Sequence, residues 1–273
     1  MNSGRGVIKL CGLVVVLGLL AACSTTKPEY VERPVEDLYN EAMDGLLAGN
    51  YEQAAKNFDE VERQHPYSVW ATKAQVMAAF AYYQSNKYDE AILAAERFVE
   101  LHPGNSNAPY AYYLRAISYY EQIADARRDQ KNTALALKSL NEVVNRFPDT
   151  KYAKDAKLKI DLARDHLAGK EMDIGRYYLE RGNYVAAINR FRKVLEDYQT
   201  TTQVPEALHR LTEAYLMLGV VDEAQTAAAV LGYNFPGSQW YQDSYVMLTG
   251  KHLEPKENKD SWISRALKKI NIL

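Results

Sequence analysis

Two stretches decide the fold: Gly49-Asn-Tyr51-Glu-Gln-Ala54-Ala-Lys-Asn-Phe58 and Gly182-Asn-Tyr184-Val-Ala-Ala187-Ile-Asn-Arg-Phe191. They match in register at glycine, asparagine, tyrosine, alanine and phenylalanine, although they lie in opposite halves of the chain. Shorter echoes stand at Asn86-Lys-Tyr88-Asp-Glu-Ala91 and Gly219-Val-Val221-Asp-Glu-Ala224. On both sides of each phrase apolar residues recur three and four positions apart, the period of a helix buried on one face. Each phrase therefore reads as the turn of a helical hairpin. A small alanine lets two helix backbones approach closely, and the aromatic ring of the neighbouring helix fills the space beside it.

Working outward, the small residue recurs at Ala54, Ala91, Ala136, Ala187 and Ala224. A proline follows the second helix at Pro66, Pro103, Pro148 and Pro236, where it cannot continue the helix and sets the exit to the next unit. The fourth unit departs, with Gln199 in the proline's place. This pattern resembles the tetratricopeptide repeat (TPR), padded by insertions. One such hairpin cannot bury its apolar face alone, so the units must stack. The expectation is an all-α TPR solenoid of about five units, at 35–66, 70–103, 107–148, 157–199 and 203–236. Trp240–Thr249 is then a capping helix, and the solenoid, 35–250, divides into an N-terminal half, 35–148, and a C-terminal half, 157–250. No credible run of alternating strand residues interrupts it.

Upstream, Arg5 and Lys9 precede an apolar run from Leu10 to Ala22. That run is too short to cross a hydrocarbon core of about 30 Å and fits the core of an export signal. Leu20-Ala21-Ala22-Cys23 resembles the lipobox of bacterial lipoproteins, where cleavage precedes the cysteine. We expect residues 1–22 to be removed, Cys23 to carry diacylglyceryl and N-acyl chains, and residues 23–34 to be a polar tether. The competing reading is an ordinary secretory signal that leaves a free thiol at Cys23. Multiple acyl chains anchor stably where one holds marginally. Ser24, by resemblance to lipoproteins of Gram-negative bacteria, favours the outer membrane and its periplasmic face.

Composition narrows the function. With 47% hydrophobic and 25% charged residues the chain has the make-up of a folded protein. A formal net charge of −2 offers no basic footprint for nucleic acid. The histidines at 65, 102, 166, 209 and 252 are widely separated. Metal-ligand spacing, a glycine-rich phosphate loop and a nucleophile elbow are all missing from the sequence. We therefore expect a binding protein with no catalytic residue, no metal and no cofactor.

The first helix of each TPR unit lines the concave face, and the repeat register puts Tyr39 and Met43, Phe80 and Tyr83, and Tyr113 and Tyr120 there. As a set they suggest an aromatic, uncharged slot for an extended peptide with apolar side chains, with tyrosine hydroxyls available to its backbone. For each residue taken singly, packing between helices is an equal reading.

Several phrases together resemble the BamD family of outer-membrane β-barrel assembly lipoproteins. They are His65-Pro-Tyr67-Ser, Ala81-Tyr-Tyr83, Tyr113-Leu-Arg115-Ala116, the insertion Asp125-Ala-Arg-Arg-Asp129 and Tyr177-Tyr-Leu-Glu-Arg-Gly182. The resemblance spans about residues 23–250. It implies N-terminal units that receive C-terminal segments of unfolded outer-membrane proteins, segments that end in an aromatic residue. It implies C-terminal units that dock on the POTRA region of a BamA-like partner, with Arg190 matching an arginine at that interface. Other lipoproteins of the BAM complex are implied partners. The alternative is an envelope TPR scaffold for peptidoglycan or lipopolysaccharide synthesis. Beyond 250, a charged linker leads to a short amphipathic helix from Ser261. Trp262, Ala266 and Ile270 share one side of it, beside Ile263 and Leu267. It serves either as a cap on the solenoid or as a docking helix.

Overall fold

A computed structural model describes residues 32–125 and 128–268, and the side chains of these residues up to Leu267. The expected signal, Cys23, most of the tether, Ala126, Arg127 and Ile270 lie outside the described residues.

Among the described residues twelve helices follow one another without a strand. We number them α1 Val35–Leu47, α2 Tyr51–Gln64, α3 Val69–Gln84, α4 Tyr88–Leu101, α5 Ala108–Glu121 and α6 Lys131–Arg146. They continue as α7 Lys151–Glu180, α8 Tyr184–Asp197, α9 Val204–Leu218, α10 Val221–Asn234, α11 Gln239–Thr249 and α12 Trp262–Lys268. Helices α1 to α10 pair in sequence as five antiparallel hairpins, and α11 packs on α9 and α10 as the expected cap.

The repeated phrases form the turns, by one mechanism. Gly49, Asn86, Gly182 and Gly219 adopt positive φ at the end of the first helix of a hairpin. Each turn then closes with a nested pair of hydrogen bonds to carbonyls of the helix's last turn. Gly49 N–H donates to the Leu46 carbonyl at 3.1 Å and Asn50 N–H to Gly45 at 2.9 Å. Gly182 to Leu179 (3.0 Å) and Asn183 to Tyr178 (2.9 Å) repeat the arrangement. Left-handed backbone is cheapest at glycine and next cheapest at asparagine, which explains the choice of residue.

The exits are equally regular. His65, His102, Phe147 and Phe235, each before a proline, lie at φ between −135° and −131° and ψ between 52° and 59°. Tyr198 takes nearly the same conformation, φ −129° and ψ 41°, before Gln199. The exit geometry therefore does not require proline. Gln199 instead donates its side-chain amide to the Ala266 carbonyl at 3.1 Å, tying the fourth unit to the C-terminal tail.

The five recurrent alanines are completely buried, as are Phe58, Leu140 and Phe191 beside three of them. In the fourth unit the close approach is extreme. A Cβ on Gly175 of α7 would lie 2.3 Å from the Phe191 ring.

Helix α7 runs for 30 residues. It starts between the expected halves, where Thr150 caps it by accepting from the Ala153 N–H at 3.2 Å, and without a proline it runs on to Glu180 despite Gly169 and Gly175. Ala156 and Ile160 in its first part pack with Leu140 and Val143 of α6, and Ala168 and Met172 in its second with Phe191 of α8. The tail folds back on α8 and α10. Ile263 and Leu267 are buried, Trp262 Nε1 donates to Tyr215 Oη at 3.0 Å, and Ser261 Oγ donates to Glu223 at 2.6 Å. The Arg192 guanidinium stacks 4.6 Å over the Trp262 ring.

Candidate functional site

The first helices of successive hairpins lie side by side, with α1 against α3, α3 against α5 and α5 against α7. Aromatic residues from three of these helices, α3, α5 and α7, meet in a row. Phe80 of α3 lies 6.4 Å from Tyr110 of α5, measured between ring centroids. Tyr110 and Tyr113, one helical turn apart, both lie 5.3 Å from Tyr152 of α7, in tilted stacking. All four rings are only partly buried.

Polar groups complete this row. Tyr113 Oη donates to Asp155 Oδ2 at 2.5 Å, and Tyr83 Oη donates to Glu121 Oε1 at 3.3 Å. Lys159 Nζ pairs with Asp155 at 3.1 Å and stands 5.4 Å from the Tyr120 ring. Lys151 stands 5.3 Å over Tyr152. Burial, reinforced by Glu121, pushes the Tyr83 hydroxyl up to about 12. Burial, then the hydrogen bond to Asp155, pushes Tyr113 up further. At Asp155 burial works upward, but the hydrogen bonds from Tyr113 and Lys159 together outweigh it and hold the carboxyl below its usual range. The row is thus a partly desolvated aromatic surface whose Tyr83 and Tyr113 hydroxyls stay protonated and whose Asp155 stays ionised.

The structure therefore brings Phe80, Tyr83, Tyr113 and Tyr120 onto this connected surface. Tyr39 and Met43 pack in the adjoining cluster between the first two hairpins, which Phe80 also borders. The Tyr39 ring lies 5.5 Å from the fully buried Phe58 and 4.8 Å from Trp70. Tyr110, Tyr152, Glu121 and Asp155 complete the surface and escaped the sequence reading. Their pairings cross between units, the Tyr113–Asp155 bond spanning 42 residues.

Arg190 occupies a different place, on α8 against the second part of α7. Its Nη1 donates to Glu171 Oε2 at 3.0 Å, while its side chain is 40% exposed. It borders a surface groove of about 650 Å³ lined also by Lys170, Asp173, Ile174, Arg176 and Tyr177. Arg176 is fixed there by both oxygens of Glu206, at 2.9 and 2.8 Å, and by Asp173 at 2.6 Å. Tyr177 is half-exposed, and the Arg181 guanidinium lies 4.4 Å from its ring centroid. The groove thus presents fixed guanidinium, carboxylate and aromatic groups to solvent. Such a surface suits a protein partner better than a small molecule.

Among the described residues no group of three or more His, Cys, Asp or Glu is placed to hold a metal. No described helix is long and apolar enough to cross a membrane.

Comparison with known proteins gives this geometry a context. The profile of the family YfiO, described as outer membrane lipoprotein, matches residues 31–231. The outer membrane protein assembly factor BamD of Caulobacter vibrioides is 51% identical over 257 residues, covering 93% of this chain and 84% of that protein. The BamD of Rickettsia prowazekii is 46% identical, over 88% of this chain and 96% of its own length. For the Neisseria meningitidis serogroup A BamD the identity is 40%, over 83% and 91% respectively.

Proposed function

The chain belongs to the BamD family of outer-membrane lipoproteins, and on that premise we propose that it works as a non-catalytic assembly factor of a β-barrel assembly machinery. Its N-terminal hairpins receive C-terminal segments of unfolded outer-membrane proteins. The observation that carries this reading is the aromatic row Phe80–Tyr110–Tyr152–Tyr113, half-buried across three neighbouring helices. Aromatic side chains of a client gain from the buried area and from offset stacking on such rings. The C-terminal hairpins dock on the POTRA region of a BamA-like subunit through the groove beside Arg190, alongside other lipoproteins of the complex. Acylated Cys23 holds the molecule to the periplasmic face of the outer membrane.

Two ligands test the two halves separately. One is a peptide from the C-terminus of an outer-membrane barrel, ending in an aromatic residue; the other is a POTRA fragment. We expect Tyr113→Ala to weaken the peptide about tenfold, the equivalent of about 1.4 kcal/mol, with helicity unchanged. Arg190→Glu sets a negative charge beside Glu171, so it should weaken the POTRA complex and spare the peptide. Helicity falling in step with peptide affinity would make Tyr113 a core residue. A wild-type protein that binds neither ligand defeats the whole reading.

A further inference from the structure

We propose that the Tyr83–Tyr113 pair reads backbone N–H donors along one edge of the bound strand, and that Glu121 and Asp155 are the positioning residues that impose this direction. The inference rests on the peptide-binding reading above and specifies what that surface recognises. A free tyrosine hydroxyl both donates and accepts, and it rotates to suit its partner. These two are not free to do so. Tyr113 Oη gives its proton to Asp155 at 2.5 Å, and Tyr83 Oη gives its own to Glu121 at 3.3 Å. An ionised carboxylate can only accept, so the donor sense of each bond is fixed. Lys159, at 3.1 Å, helps keep Asp155 ionised, and burial keeps both phenols protonated. What remains to a ligand is the pair of phenolic oxygen lone pairs, backed by two carboxylates.

The ligand chemistry follows. An extended strand offers N–H and C=O groups along each edge and sends its side chains to alternate faces. Rings such as Phe80, Tyr110 and Tyr152 take apolar side chains but do not distinguish one edge register from another, because stacking is not directional along the backbone. The hydroxyl pair does distinguish them. A carbonyl turned toward the Tyr83 and Tyr113 oxygens meets acceptors backed by Glu121 and by Asp155 with its Lys159 partner, whereas an N–H meets acceptors it can satisfy. The occupant is therefore a client strand held in the register that points amide hydrogens at this pair, with its aromatic side chains on the row.

The test is a cycle between protein and ligand backbone, measured by calorimetry on the mature chain. The probes are a barrel C-terminal peptide and two versions N-methylated at alternate residues, one version for each edge. Methylating the edge that is read should weaken wild-type binding about fivefold, the scale of one neutral hydrogen bond. Methylating the other edge should change affinity little. Tyr113→Phe keeps the ring, so it should weaken the parent peptide by a similar factor while the penalty for N-methylation shrinks. Asp155→Asn frees the hydroxyl to rotate and should behave in the same way. Equal penalties on both edges, or an N-methyl penalty undiminished in Tyr113→Phe, would overturn this inference and leave peptide binding standing. A wild-type protein that binds none of the three peptides overturns both together.

Discussion

The imidazole of His209 is buried between α9 and α11, its ring 5.2 Å from that of Trp240 and its Nδ1 2.8 Å from Ser244 Oγ. Burial, followed by the nearby Arg210, pushes its pKa below the usual imidazole value. In the unfolded chain it titrates near 6.5. Between the depressed folded value and 6.5 the unfolded state binds more protons, so stability rises with pH across that window. The contribution is complete above about 6.5 and is lost as pH falls below it. Urea unfolding midpoints should therefore drop between about pH 7.5 and pH 5.5. His209→Asn keeps a polar atom near Ser244 and should flatten that part of the profile. An unchanged slope would place the titration elsewhere. This role was invisible in the sequence, where His209 is one of five scattered histidines; burial by a helix 35 residues away creates it. The hydroxyls of Tyr83 and Tyr113 were foreseen as groups for a ligand backbone, but not their direction, which depends on carboxylates from other positions in the fold.

At the scale of helices, the hairpin turns were the most legible feature, because glycine and asparagine mark positions where backbone conformation is restricted. The small-residue crossing was legible too, and in the fourth unit it makes a sharp contrast possible. Gly175 and Gly169 both lie in α7, where alanine is the better helix former by about 1 kcal/mol. Around a Cβ on Gly169 there is nothing within 4 Å, so Gly169→Ala should stabilise by about 0.5–1 kcal/mol. A Cβ on Gly175 would strike the fully buried Phe191 ring at 2.3 Å. Overpacking of that kind costs about 1–3 kcal/mol, so Gly175→Ala should lower the unfolding free energy despite its helix propensity. Chemical denaturation of the two variants side by side checks the sign of each. Had Gly175→Ala also stabilised, the α7–α8 crossing would have to be looser than these distances say. Less legible was the tail. Its amphipathic pattern was plain, yet the surface that receives it, including Gln199 and Tyr215, belongs to units far upstream.

Over the whole molecule, α7 joins the aromatic row to the Arg190 groove: Tyr152 and Asp155 lie in its first part, and Glu171 and Arg176 in its second. Solenoid stability is close to a sum of units and nearest-neighbour interfaces, so cooperation between the halves depends on what spans them. Here that span is one uninterrupted helix. The repeat spacing hid it, since padding between the third and fourth units read as a connection between halves rather than as added turns of helix. His166, exposed near the middle of α7, is the place to break it. Proline there removes one helical hydrogen bond and clashes with the carbonyl four residues back, at a cost of about 3 kcal/mol. Neither binding surface includes this residue. We expect His166→Pro to split a single denaturation transition into two, while peptide and POTRA fragment each still bind with near wild-type affinity. Assembly of barrel proteins in cells should nevertheless fall, because a client held by one half is no longer fixed relative to the partner held by the other. If His166→Pro unfolds in one transition and supports normal assembly, the continuity of α7 is incidental, and the two halves communicate by packing alone.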